Sequence, residues 1–130
     1  MIHNFYLWLK TQLPTLTFTK HNFKKNSNST CILVRQYDGV PGPEYYDRKD
    51  FYLQIISRSK EDHEAFTNAV TVNNLLMHQF MIVLPAVTVD SVNYPSIVAS
   101  KISTNQLPGG IGSDKEMRYM YVFNITIVTK

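Results

Sequence analysis

The side chains of this sequence that could do chemistry are four histidines, one cysteine and a knot of carboxylates. His3, His21, His63 and His78 are not paired at metal-ligand spacing within any one element. His63-Glu64 opens like a zinc-protease helix, but Thr67 stands where the second histidine of HExxH belongs. Cys31 lies inside the apolar run TCILV and reads as a small buried hydrophobe, not a nucleophile. A single cysteine also excludes an intrachain disulfide framework or zinc cluster. Gly110-Ile111-Gly112 lacks the Lys-Ser/Thr of a phosphate loop and precedes a strand, so it reads as a turn. There is no G-x-S-x-G nucleophile elbow.

Asp38, Glu44, Asp47 and Asp50 surround a proline-rich segment. Paired carboxylates can do acid-base work, but here they alternate with Arg48 and Lys49, as in a solvated, ion-paired loop. An enzyme built on Asp38–Asp50 is therefore the weakest of three readings, and no cofactor or metal is expected. Lys20, His21, Phe23, Lys24 and Lys25 form one basic-aromatic cluster of the kind that meets a phosphate backbone. It makes a nucleic-acid-binding module the second reading. The formal charge of +3 is low for a dedicated phosphate-backbone binder.

The frame that must hold these groups centres on the stretch from Asp50 to Phe80. Phe51, Leu53 and Ile55 alternate with Tyr52, Gln54 and Ile56, which predicts a strand. Ala65, Phe66, Ala69, Val70, Val72, Leu76, Met77 and Phe80 then recur at three- and four-residue spacing, one face of a long helix. Ser59 with Asp62 three residues on resembles a capping box, and the acidic first turn suits the helix dipole.

Upstream, Ile2, Phe5, Leu9 and Leu13 predict a helix over 2–12 that Pro14 stops. Tyr6 and Lys10 fall on its other face, and Trp8 suits either the core or an interface. A short strand around Leu16 and Phe18 and a firm one over Thr30–Tyr37 follow, with a break from Asp38-Gly39 through Pro41-Gly42-Pro43. The strands either side of that break are expected to be antiparallel neighbours. MIVLPAVTVD reads as extended, SIVASKIST as a strand in preference to a short helix, LPGGIGSDKE as a loop, and RYMYVFNITIVTK as the strongest strand, either central or an edge covered by another subunit.

The expected fold is therefore a single α+β domain over 1–130, an antiparallel or mixed β-sheet with an N-terminal helix and a long central helix packed on it. The N-terminus lacks the basic start of a signal peptide, and no run approaches the ~20 apolar residues of a membrane span. The expectation is a soluble intracellular product with no membrane partner. The sequons at Asn28 and Asn124 carry no weight without a secretion signal.

The order of parts resembles the small tail terminator, or tail completion, proteins of long-tailed bacteriophages, also described as minor capsid proteins. The segment YDGVPGPEYYDRKDFYLQIISRS leads into a helix with spaced alanines, so that LQIISRSKEDHEAFTNA is similar to the family's strand, Arg-Ser, helix signature. Gly112-Ser113-Asp114 resembles its late turn before the closing strand. The polar 20–29 insert and the proline turn at 40–43 depart from the pattern. The resemblance implies a non-catalytic virion protein, made in the host cytoplasm, that forms a homohexameric ring at the head-proximal end of the tail tube. Such a ring stops tube polymerisation and joins the head-neck connector. It implies contacts with tail tube protein and connector through Asp38, Glu44, Asp47, Arg48 and Lys49 and through Asp114, Lys115 and Arg118. Strand 118–128 would offer a surface to a neighbouring copy. Lys20, Lys24 and Lys25 would tolerate passing DNA without reading its sequence.

Overall fold

The computed structural model describes residues 1–23, 30–41, 49–77, 79–104, 107–113 and 117–129, with backbone alone at 37–41 and 49. Helix α1 (Ile2–Gln12) buries Ile2, Phe5, Trp8 and Leu9, so the only tryptophan belongs to the core. The Leu13 N–H closes the last turn on the Leu9 carbonyl at 3.0 Å, and Pro14 cannot continue it. Strands β1 (Phe18–Lys20), β2 (Cys31–Pro41) and β3 (Lys49–Ser59) lead into helix α2 (Asp62–Leu76). Six strands complete the chain: β4 (Gln79–Leu84), β5 (Val87–Val89), β6 (Val92–Tyr94), β7 (Ile97–Thr104), β8 (Gly109–Ser113) and β9 (Tyr119–Thr129).

The main sheet runs β1-β2-β3-β9-β7-β4, with β8 also paired to β9; β5 and β6 form a separate hairpin. It is mixed, because β1 runs parallel to β2 while the other pairs are antiparallel. The fold is α+β. β3 and β9 are the spine, in register from Lys49↔Thr129 to Ser59↔Tyr119. Leu53 faces Ile125 and Ile55 faces Phe123, all fully buried. Phe5 and Leu9 of α1 and Val72 and Leu76 of α2 join the same cluster. Each such side chain contributes roughly 1.5–3 kcal/mol by leaving water.

Several expectations are corrected. The long central helix is not found: α2 spans 15 residues and stops at Leu76, and Phe80 lies in β4. Its buried stripe is Ala65, Ala69, Val72, Asn73 and Leu76, whereas Phe66 is exposed. Ser59 is not the helix cap. It is still paired to Tyr119 in the sheet, so the helix starts later, with Glu61 at the N-cap position. The Ser59 hydroxyl instead accepts the Glu61 N–H at 3.2 Å and bonds the Thr30 hydroxyl at 3.1 Å.

The break placed at Asp38-Gly39 is a bulge between Gln36 and Asp38, and pairing resumes to Pro41↔Lys49. No described strand covers the outer side of β2 beyond Val34, so a residue without an N–H is tolerated there. Part of the glycine loop is β8, paired to the first half of β9. A Cβ on Gly110 would sit 3.2 Å from the Tyr121 ring, and Gly112 has φ +88°, so glycine suits both places. Pairing with β3 on one side and with β7 and β8 on the other makes β9 central, not an edge for a neighbour to cover.

Candidate functional site

Among the described residues, chemistry-bearing side chains gather where α1 meets the end of β1. His3, Tyr6 and Lys10 lie at i, i+3 and i+7, on one helical face. β1 ends at Lys20, whose Nζ is 2.7 Å from His3 Nδ1. An ammonium only donates, so Nδ1 accepts and Nε2 carries the ring proton. His21 follows with φ +73°, its N–H held by the Val34 carbonyl at 3.0 Å. This left-handed turn, which histidine tolerates better than most residues, sets its ring edge-on to His3 with centroids 6.0 Å apart. Tyr94 of β6 packs on the other ring contact of His3 at 4.7 Å.

Two ammonium groups approach the Tyr6 ring. Lys10 Nζ is 5.1 Å and Lys20 Nζ 5.0 Å from its centroid, within cation–π range. The Tyr6 hydroxyl donates to the Phe18 carbonyl at 2.7 Å, which fastens the helix face to β1. Asn4, fully buried, fastens the other side: the two N–H groups of Nδ2 are shared among the carbonyls of Pro85 and Pro95, at 2.9 and 3.0 Å, and of Tyr94, at 3.3 Å. These three flank the β5–β6 hairpin, whose turn residues Asp90 and Ser91 both have positive φ. The hairpin thereby brings the Asp90 charge to bear on His3 and Lys20.

The electrostatics are those of crowded cations. Burial, then the charges of Lys20, His21 and the amino group of Met1, hold the His3 pKa below its ordinary 6.5, with Asp90 opposing. Burial and then Lys10 lower that of Lys20, again with Asp90 opposing. Burial raises that of Tyr6.

A second feature is apolar. β4 is the far edge of the sheet, and Phe80, Met81 and Val83 are each about 60 % exposed, beside Val98 of β7. Strict alternation would put Phe80 and Val83 on opposite faces. Met81 has φ +51°, and β7 shifts register against β9 between Ala99 and Lys101. The two irregularities reset the alternation together, so Phe80 and the Val83↔Val98 pair turn outward while Leu84 and Ala99 are buried.

Of the residues singled out from sequence, Glu44, Asp47, Arg48, Asp114, Lys115, Lys24, Lys25 and His78 lie outside the described residues. Asp38 and Lys49 belong to the β2–β3 ladder instead of a loop. Arg118 sits half-buried just before β9. Asp50 pairs with Val128 in the β3–β9 ladder, and no metal-binding group of three His, Cys, Asp or Glu occurs among the described residues. His63 is exposed on α2, and Cys31 is buried with Arg58 Nη2 3.7 Å from its sulfur. The basic-aromatic cluster is divided: Lys20 and His21 turn to α1, while Phe23 stacks on the Arg58 guanidinium at 3.9 Å. His3 and Tyr94 are additions that sequence reasoning missed. The spacing of His3, Tyr6 and Lys10 was the only local signal for the first, and the second comes from 91 residues further along.

No protein-family model and no curated protein matches this chain. Its function is therefore read from its own residues and fold.

Proposed function

We propose that the chain is a structural, non-enzymatic subunit that assembles with copies of itself into a ring, as its resemblance to phage tail terminators implies. The observation that carries this reading is the outward cluster of Phe80, Met81, Val83 and Val98 at the β4 edge. Single exposed apolar residues are ordinary, but a contiguous group at one sheet edge is what a partner covers. Met81 distorts that edge, which discourages open-ended strand pairing and favours a side-chain contact of fixed geometry. A ring joins this surface to a different one on the next copy, and closure by rotation limits its size.

In this reading the sheet is the rigid support, and the segments around Asp38, Glu44, Asp47, Arg48 and Lys49 and around Asp114, Lys115 and Arg118 meet the tail tube and the head-neck connector. The role places the protein in the virion. Sedimentation of the purified protein, alone and with assembled tail tubes, tests it. A ring-sized species or a cap on tube ends is expected, and Val83→Asp with Val98→Asp should abolish either while leaving the circular dichroism unchanged. A wild-type protein that stays monomeric at high concentration and ignores tubes overturns the proposal.

A further inference from the structure

We propose that the surface cluster of donors formed by His3, Lys10, Lys20 and His21, beside the rings of Tyr6 and Tyr94, is a binding site for a phosphate group. It is independent of the apolar β4 edge and of the ring reading.

Three elements deliver nitrogen donors around the Lys20 ammonium: α1 supplies His3 and Lys10, β1 supplies Lys20, and the turn after it supplies His21. Two ammonium groups share the Tyr6 ring at 5.0 and 5.1 Å. Cation–π attraction of about 0.5–1 kcal/mol each at such exposed sites is a modest return for holding like charges together. Among the described residues the only carboxylate that bears on both His3 and Lys20 is Asp90. One acid against two lysine ammonium groups leaves net positive charge for an anion to meet.

The donors are also held in place before any ligand arrives. Tyr6 is fixed through its hydroxyl to the Phe18 carbonyl, His3 by Lys20 and Tyr94, and α1 by the buried Asn4 amide. Pre-positioned side chains spare a ligand the entropy of ordering them. Among the described residues, Lys20 spends one N–H on His3 and keeps two, and His3 keeps Nε2–H. Several donors of point-charge type, with no bidentate arginine fork, suit a phosphate's several oxygens better than the planar pair of a carboxylate. A phosphate monoester loses its second proton near pH ~6, in the range where an imidazole beside it would gain one. With Nδ1 taken by Lys20, His3 meets the ligand through its Nε2–H.

The free ion and the phosphates of a nucleic acid present the same chemistry, and the experiment separates them. His3 and His21 ring resonances of the intact chain are followed by NMR through pH titrations. The titrations are run with inorganic phosphate, with a short single-stranded DNA oligonucleotide, and with chloride at matched ionic strength. Phosphate is expected to raise the His3 pKa and shift both rings, and chloride to do neither. Lys20→Gln is expected to weaken the phosphate response roughly ten-fold, the loss of about one charge-assisted bond. Lys10→Gln serves the same purpose should Lys20→Gln not fold. For the oligonucleotide, each lysine removed should lower the salt slope of binding by about 0.7. Binding of the oligonucleotide alone would identify the backbone as the source, and binding of both would identify the shared group. No His3 shift with either probe, an equal shift with chloride, or a response unchanged in the lysine variants overturns the proposal.

Discussion

The Asn4 side chain donates to the Pro95 carbonyl at 3.0 Å across 91 residues of sequence. The same amide nitrogen lies 2.9 Å from the Pro85 carbonyl. One polar residue, on an otherwise apolar helix face and fully buried, thus ties α1 to both ends of the β5–β6 hairpin. The surroundings of His3 and Lys20 depend on this tie, because the hairpin carries Asp90 and Tyr94.

Asn4→Ala would leave buried carbonyls short of a donor. A loss of about 1–3 kcal/mol is expected from the urea unfolding midpoint. Amide exchange over residues 87–94 should also speed up more than exchange in β3. An unchanged midpoint would mean that the carbonyls find other donors.

Leu76 and Phe66 are separated by the helix they share. Leu76 is fully buried in the core cluster, and Leu76→Ala should cost about 2–5 kcal/mol. Phe66 is 44 % exposed and makes an edge contact with the Tyr121 ring at 5.4 Å. Phe66→Ala should therefore cost about 0.5–1.5 kcal/mol, the worth of one aromatic pair. Equal losses for the two would contradict the observed orientation of α2.

The pH dependence follows from His3. Its pKa is lowered in the folded chain, chiefly by burial and then by Lys20. Between its ordinary 6.5 and the lower folded value, the unfolded chain binds more protons than the folded one. Stability therefore falls as the pH drops through that window and levels off below it. Thermal unfolding followed from neutral to mildly acid pH should show the decline, and His3→Gln should remove its part of it. A wild-type profile identical to that of His3→Gln would show that His3 is not perturbed.

Much of the scaffold was legible in the sequence. The α1 stripe, the β2–β3 pairing and the long β9 run are local periodicities, and burial of one face is what creates such periods. The errors also have local causes. The apolar spacing that ran on to Phe80 joined a helix stripe to a strand, because residues three or four apart look alike until the backbone turns. Alternation along β4 fails at Met81, where a left-handed residue shifts the phase. No residue type announces that.

By itself, then, the sequence determined the α+β class, most strand and helix positions and the lack of a known catalytic motif, because each depends on residues close together in the chain. Tertiary structure alone decided which edge of the sheet lies open and which histidine meets Lys20. His3 and Lys20 are 17 residues apart and Tyr94 lies far beyond both, so their meeting depends on how α1 and the hairpin pack. Long-range packing leaves no period in a sequence to read.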